Sequence, residues 1–179
     1  MKATSDVVVV GAGPYGLSAA AHLNARGVNT RVFGEPMSFW DRHMPEGMCL
    51  RSPWEASQLS DPSRSLTIDA FQTASRVRVN RPIPIERFVA YGRWFQSRAV
   101  PNLEQRKVIG IEKNTSGFRV VLADGEVLRC GRVVIADSDF HRRSRLTGVS
   151  LTEESHLSIH AVFAGIHEND VAFPAATFS

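Results

Sequence analysis

Three glycines near the start of the chain have the spacing of a site for the pyrophosphate of a dinucleotide. They form the pattern GAGPYG, which follows the apolar run 7–10 and precedes an alanine-rich stretch. In a strand–turn–helix unit the first glycine permits a sharp turn, the second lets the pyrophosphate approach the backbone, and the third brings helix and strand close together. The anion then lies at the N-terminus of the helix, where N–H groups are unpaired and the macrodipole is positive. The residues predicted to bind it are Gly11, Ala12, Gly13, Pro14, Tyr15 and Gly16.

The elements around these glycines are those that a dinucleotide site needs. Residues 7–10 predict a strand, residues 15–26 a helix and residues 28–33 a second parallel strand, which together make a βαβ unit. Glu35 follows the second strand about twenty residues after the turn, where a carboxylate can accept hydrogen bonds from ribose. The position directly after that strand, where the acid most often stands, is Gly34. The alternative is an ordinary βα turn that binds no ligand.

Length and composition indicate one domain or slightly more in an ordinary soluble globular protein. The chain has 179 residues, of which 43% are apolar and 22% charged. The formal charge is only +3, and the basic residues cluster only briefly, at 141–145. This cluster is not accompanied by the aromatic platform or basic helix of a nucleic-acid site. No segment resembles a signal sequence or a membrane span, so we expect a cytoplasmic protein that needs neither nucleic acid nor membrane.

Metal, thiol and serine chemistry are not indicated by the remaining residues. Cys49 and Cys130 are far apart and form no CxxC motif, as expected of thiols in a reducing cytoplasm. His156 and His160 are four residues apart, but the glutamate of an HExxH motif is missing, and so is a GxSxG motif. We therefore predict no metal site.

The rest of the chain predicts an α/β fold with an antiparallel insertion. Residues 36–65 form a long irregular segment whose aromatic and methionine side chains either wrap against a flat ligand or cap the core. An amphipathic helix is predicted for 86–98, and β-like runs follow at 107–112, 118–122 and 127–130. The turn at 124–125, Asp-Gly, is a strong hairpin signal, so these runs predict a three-stranded antiparallel meander. The unbroken apolar run 133–136 predicts a further strand buried in a parallel sheet.

The order of these parts resembles the N-terminal, FAD-binding half of flavoprotein monooxygenases with two dinucleotide domains, close to the flavin-containing and lysine N-hydroxylase groups. The segments that carry the resemblance are GAGPYG, VFGEPMSFWDRHMP, QLSDP, FVAYGRWF and VVIA, within residues 5–136. The resemblance implies a Rossmann-like FAD/NAD(P)-binding sheet in which the glycines hold the FAD pyrophosphate and Glu35 holds ribose. It also implies that Trp40, Arg42 and His43 lie near the isoalloxazine and that the backbone at Val108 meets the adenine.

The sequence departs from this family at two places. An ATG-like turn is expected after the last apolar strand, but Asp137 follows Ala136, and a carboxylate near a pyrophosphate would weaken FAD retention. Where the NADPH unit should have its own glycine turn, the chain has PAAT at 174–177. We expect residues 1–140 to be the FAD domain and 141–179 to be a linker and the truncated start of a degenerate NADPH unit, so that use of NADPH by this chain is doubtful.

The leading hypothesis is the FAD-binding portion of an NADPH-dependent flavoprotein monooxygenase or oxidoreductase, incomplete as a catalyst alone. One alternative is a non-catalytic flavin- or nucleotide-binding module that needs a partner. Another is a truncated remnant that binds no ligand. The substrate would be a small molecule that the sequence does not identify, and a partner chain or a homo-oligomer are both open. No side chain is assigned as a catalytic acid or base.

Overall fold

A computed structural model describes residues 5–137 and 145–147. Within these residues the strands are β1 (Ser5–Val10), β2 (Thr30–Phe33), β3 (Val108–Asn114), β4 (Gly117–Leu122), β5 (Val127–Ile135) and β6 (Arg145–Thr147). The helices are α1 (Pro14–Ala25), α2 (Ser38–Arg42), α3 (Ile68–Ser75) and α4 (Ile85–Ala99), and a short 3₁₀ helix spans Glu55–Ser57. The strands form one sheet in the order β2-β1-β5-β4-β3-β6. The predicted α/β fold, with a Rossmann-like parallel unit and an antiparallel meander, is confirmed.

The parallel half of the sheet is centred on β1, which pairs with β2 on one side and β5 on the other. The unbroken run of valines in β1 fits a central strand, because both faces of such a strand are covered by other elements and neither is polar. Val8 and Val9 are both fully buried. The segment around Glu104 lies beside β2. The Glu104 N–H donates to the Val32 carbonyl at 2.8 Å, and the Gly34 N–H donates to the Glu104 carbonyl at 3.0 Å. The segment at residue 104 therefore continues the sheet beyond β2.

The meander joins the parallel half through one long strand. The sequence predicted separate strands at 127–130 and 133–136, but both belong to the continuous strand β5. Its first residues pair antiparallel with β4, and from Cys130 onward it pairs parallel with β1. Gly131 lies within β5, between Cys130 and Arg132, which both pair with β1. The end of β5 is therefore held beside the end of β1.

One face of β1 is covered by the meander. Val8 and Val10 share a hydrophobic cluster with Ile111 of β3 and with Val120 and Leu122 of β4. Burial of these side chains from water is the main favourable contribution to holding the two halves together. The short strand β6 pairs parallel with β3 and completes that edge of the sheet.

The predicted helix at 86–98 is confirmed as α4, which packs against α1, α2 and α3. Its apolar stripe includes Phe88, Tyr91 and Phe95, all buried. The irregular segment 36–65 contains α2 and the 3₁₀ helix, and Trp40 packs edge-on against Phe88 with ring centroids 5.1 Å apart. Trp40 therefore contributes to covering the core at α4. The predicted remnant of a second dinucleotide unit at 141–179 lies outside the described residues, apart from β6.

Candidate functional site

The glycine-rich turn connects β1 to α1 and uses each glycine differently. Gly11 has φ +108°, a left-handed conformation that side chains rarely adopt, and a Cβ there would stand 2.6 Å from the Ala136 carbonyl carbon. A Cβ on Gly16 would overlap the carbonyl oxygen of Gly11 and lie 2.9 Å from its carbon. A Cβ on Gly13 would have no atom within 4 Å. The protein itself therefore requires glycine at positions 11 and 16, whereas position 13 opens onto free space.

The open position lies at the start of α1. Gly13 is the N-cap residue and Pro14 occupies the first helical position, where the missing N–H costs nothing. No carboxylate competes for the N–H groups from within the helix, since α1 carries no Asp or Glu in its first turn. N–H groups of a first helical turn have no partner inside the helix, and the helix dipole makes this end positive. Tyr15 is 42% exposed beside it. The arrangement can accept an anion against the backbone at Gly13.

The far wall of the turn is made by the end of β5. The Ala136 N–H donates to the Val10 carbonyl at 2.7 Å, which fixes residues 136–137 against the turn. The backbone nitrogen of Asp137 stands 2.8 Å from where a Gly11 Cβ would lie. The Asp137 backbone thus occupies the place where the resembled family has an ATG-like turn, and its side chain adds a carboxylate to this edge.

Glu35 and Arg42 form an ion pair with each other through Arg42 Nη2 and Glu35 Oε1. Their side chains are 39% and 59% exposed, so water screens the pair and it contributes little to stability. The sequence position of Glu35 predicted a contact with ribose, and the family resemblance implied that Arg42 lies near the isoalloxazine. The structure brings the two side chains together beside β2.

Two residues to which the sequence assigned no binding role hold this region in place. Gly34 has φ +140°, and a Cβ there would lie only 3.0 Å from the Ala12 nitrogen, so β2 ends tightly against the glycine-rich turn. Met37 is fully buried with φ 60°, and its N–H donates to the Ala12 carbonyl at 3.0 Å. Its side chain fills the space that a Cβ on Gly92 would occupy. In the sequence, the only sign that Met37 packs closely against α4 is Gly92, a glycine inside a helix rich in aromatic residues.

The other residues predicted near the isoalloxazine lie on or next to α2. Trp40 is half-buried against Phe88, whereas His43 is exposed and stacks on Phe39 with ring centroids 5.4 Å apart and planes 15° from parallel. Phe39 is itself 42% exposed. Arg93 donates to Asp41 at 2.7 Å and ties α2 to α4. The face of α2 with Phe39 and His43 is available to a flat ring.

Val108, the residue predicted to meet the adenine with its backbone, begins β3. It is 4% exposed and belongs to the same hydrophobic cluster as Val8 and Val10 of β1. Its side chain is therefore part of the core.

The QLSDP segment is held against α1 and α4 by hydrogen bonds. The Ser60 N–H donates to Ser18 Oγ of α1 at 3.0 Å, and the Leu59 N–H donates to the Tyr91 hydroxyl of α4 at 3.0 Å. Asp61 accepts from the N–H of Leu66 and from the Ser63 hydroxyl. Although partial burial opposes it, these hydrogen bonds lower the pKa of Asp61. The segment is therefore fixed beside the helix that starts at the glycine-rich turn.

Other kinds of site are not seen in the part of the chain that the structure describes. No group of His, Cys, Asp and Glu side chains there could hold a metal ion. No helix there is long and apolar enough to cross a bilayer.

Comparison with known proteins connects this geometry to a family. A family model described as pyridine nucleotide-disulphide oxidoreductase matches residues 5–170. Comparison with curated protein sequences gave no match.

Solved structures share the fold. A flavin-containing monooxygenase from Stenotrophomonas maltophilia is 26% identical, with a TM-score of 0.61, and the similarity covers 74% of this chain and 38% of that one. Bacillithiol disulfide reductase from Staphylococcus aureus is 17% identical, with a TM-score of 0.62 and coverage of 75% and 38%. The protein OTEMO in its complex with FAD and NADP is 17% identical, with a TM-score of 0.60 and coverage of 76% and 26%. The chain thus spans well under half of the length of each of these proteins.

Proposed function

The chain belongs to the pyridine nucleotide-disulphide oxidoreductase family, and we propose that it is the FAD-binding portion of an NADPH-dependent flavoprotein monooxygenase or a closely related oxidoreductase. The observation that carries this proposal is the contrast within the glycine-rich turn. Gly11 and Gly16 are required by the protein's own packing, but the space in front of Gly13 contains no protein atom. A glycine that the fold does not need, at the N-cap of a helix, fits a ligand that must approach the backbone.

In this proposal the turn and the start of α1 bind the FAD pyrophosphate with backbone N–H groups. Glu35 accepts hydrogen bonds from the ribose, with Arg42 as its ion-pair partner beside it. The bound FAD supplies the redox chemistry, and the protein supplies binding, orientation and exclusion of water. The flat, exposed stack of Phe39 and His43 is proposed to lie near the flavin ring.

A second candidate is a flavin-binding module that needs a partner chain for catalysis. It is favoured by the sequence at 174–177, where Pro174 stands at the start of the expected second glycine turn. Proline removes an N–H and the following alanines restore Cβ atoms, so this stretch lacks the features that hold a second pyrophosphate. The substrate is proposed to be a small molecule, and the free Cys49 and Cys130 fit a cytoplasmic location.

The test is a visible absorption spectrum of the purified protein, followed by titration of the apoprotein with FAD. We expect a flavin spectrum, or saturable binding after reconstitution. A protein that is colourless and does not bind added FAD would refute both candidates. Anaerobic mixing of the FAD-loaded protein with NADPH then separates them, with dithionite as the control that the flavin can be reduced. The second candidate predicts no bleaching by NADPH, whereas bleaching within seconds would indicate a complete reductive site.

A further inference from the structure

A pocket of about 380 Å³ lies apart from the residues predicted to bind the cofactor. It is lined by Trp54, by Asp69 and Gln72 of α3, and by residues 78–81. None of the glycine-rich turn, Glu35 or the α2 residues contributes to its wall. Its volume is in the range of sites that hold small organic molecules.

The side-chain acceptors of Asp69 and Gln72 in this pocket already accept hydrogen bonds from neighbouring donors. Trp54 Nε1 donates to Asp69 Oδ2 at 3.2 Å, and Gln72 Nε2 donates to Asp69 Oδ1 at 3.3 Å. The Gln72 side-chain oxygen accepts from the Val79 N–H at 2.8 Å. These bonds fix the positions of the side chains, and they leave the pocket with few acceptors to offer a ligand.

The two guanidinium groups of the pocket are not used in this way by the described residues. Arg78 and Arg81 are exposed, and within residues 5–137 no carboxylate lies at ion-pair distance from either guanidinium. The Arg81 guanidinium stacks over the Trp54 ring at 4.3 Å, and within residues 5–137 no acceptor lies at hydrogen-bond distance from the N–H groups at its edge. The wall of the pocket contains two arginines and one acidic residue, Asp69, so its net charge is positive.

We propose that this pocket binds a small organic oxyanion, a carboxylate or a phosphate, through Arg78 and Arg81. Guanidinium groups present planar pairs of donors that match both anions, and charge-assisted hydrogen bonds of this kind are the stronger ones. The indole of Trp54, fixed between Asp69 and Arg81, forms a rigid side of the pocket. The ligand is distinct from the dinucleotide of the proposed function, because the two sets of residues do not overlap.

The experiment follows the indole N–H signal of Trp54 by ¹⁵N–¹H NMR while citrate or inorganic phosphate is added at constant ionic strength, with chloride as the ionic control. The Trp54→Phe variant identifies the signal. We expect a saturable shift with at least one of the two anions. Binding by citrate alone assigns a carboxylate ligand, and binding by phosphate alone assigns a phosphate ligand.

The matched variants are Arg78→Gln, Arg81→Gln and Arg87→Gln. The first two variants each remove a guanidinium group proposed to bind the anion. Arg87 is an exposed arginine of α4 outside the pocket wall, so its variant controls for the change in net charge. We expect each pocket variant to raise the Kd by about tenfold, as for one lost charge-assisted contact, and the control to leave it within about twofold. If Arg81→Gln disturbs the fold through Trp54, Arg78→Gln still tests the proposal, since Arg78 makes no hydrogen bond or ion pair with the described residues.

Two results would overturn the proposal. One is that neither anion gives a saturable shift of the Trp54 signal. The other is that the pocket variants bind as well as Arg87→Gln. A Gly13→Ala protein should keep its anion binding, so that failure of the proposed flavin site and failure of this pocket can be told apart.

Discussion

Replacing Gly13 by alanine should weaken FAD binding and leave the fold intact, whereas the same change at Gly16 should destabilise the fold. The two residues are three positions apart in the same turn and would receive the same methyl group. A Cβ at Gly13 meets no atom within 4 Å, and the residue has an ordinary φ of −78°. A Cβ at Gly16 collides with the carbonyl of Gly11. The pair therefore separates a glycine kept for a ligand from one kept for packing.

The magnitudes follow from these geometries. At Gly16 the 2.9 Å approach to the Gly11 carbonyl carbon, with the oxygen closer still, is shorter than real Cβ contacts, and backbone atoms must move to relieve it. Overpacking of this kind costs about 3 kcal/mol, and the better helix propensity of alanine returns about 1 kcal/mol, so we expect a net loss of about 2 kcal/mol. At Gly13, loss of a favourable N-cap residue lowers the stability, whereas alanine reduces the entropy of the unfolded chain and so raises it. The two effects should cancel to within about 1 kcal/mol. A methyl group in the path of the pyrophosphate should raise the Kd for FAD by about tenfold to a hundredfold.

Urea denaturation of the apoproteins measures the free energy of unfolding, and FAD titration followed by flavin fluorescence measures the Kd. The apo form is needed because bound FAD would itself raise the stability of the folded state. The argument is refuted if Gly13→Ala binds FAD as tightly as the parent protein. It is equally refuted if Gly16→Ala is as stable as the parent, because the overlap in the structure would then have no consequence.

Two further predictions concern residues away from the turn. Glu104 accepts hydrogen bonds from Arg31 and Arg106, and the bond from Arg31 is the main reason that the pKa of Glu104 is lowered. The charged carboxylate therefore stabilises the fold above the unfolded pKa of about 4.3. This stabilisation is lost as the pH falls through the lower pKa of the folded state. Glu104→Gln should therefore cost about 1 kcal/mol in urea denaturation at pH 7 and almost nothing at pH 3; a difference that does not change with pH would contradict this. Tyr91→Phe should cost about 1 to 3 kcal/mol, because the buried hydroxyl accepts from the Leu59 N–H and donates to the Leu66 carbonyl, and both groups would lose their partner. A change below about 0.5 kcal/mol would show that water replaces the hydroxyl.

The sequence predicted the parallel unit well because local and long-range signals agree there. The run of valines, the glycine pattern and the alanine-rich helix all point to the same βαβ structure, and the resemblance drawn from these motifs is confirmed by the family match over residues 5–170. The helix at 86–98 was equally clear, since its apolar stripe is long. The Asp124–Gly125 turn predicted the β4–β5 hairpin for the same reason: the signal is local.

The parts that could not be predicted depend on contacts between distant residues. The sequence shows two separate runs at 127–130 and 133–136, but β5 is continuous because β4 and β1 pair with its two halves on opposite sides. The ion pair of Glu35 with Arg42 depends on the turn at Met37, whose left-handed φ has no signature in its own residue type. The binding roles assigned to individual site residues remain predictions.

The continuity of β5 also has a consequence for synthesis on the ribosome. β1 leaves the exit tunnel well before its partner on one edge, which pairs from Val7 opposite Arg132 to Val10 opposite Ile135. During that interval the nascent chain presents a valine-rich strand with an open edge, which is the kind of surface that pairs with other chains. Until residue 135 has emerged, β1 can pair only with β2, and its other edge stays open. The glycine-rich turn, whose far wall includes Ala136, is therefore completed only after β5 has been translated.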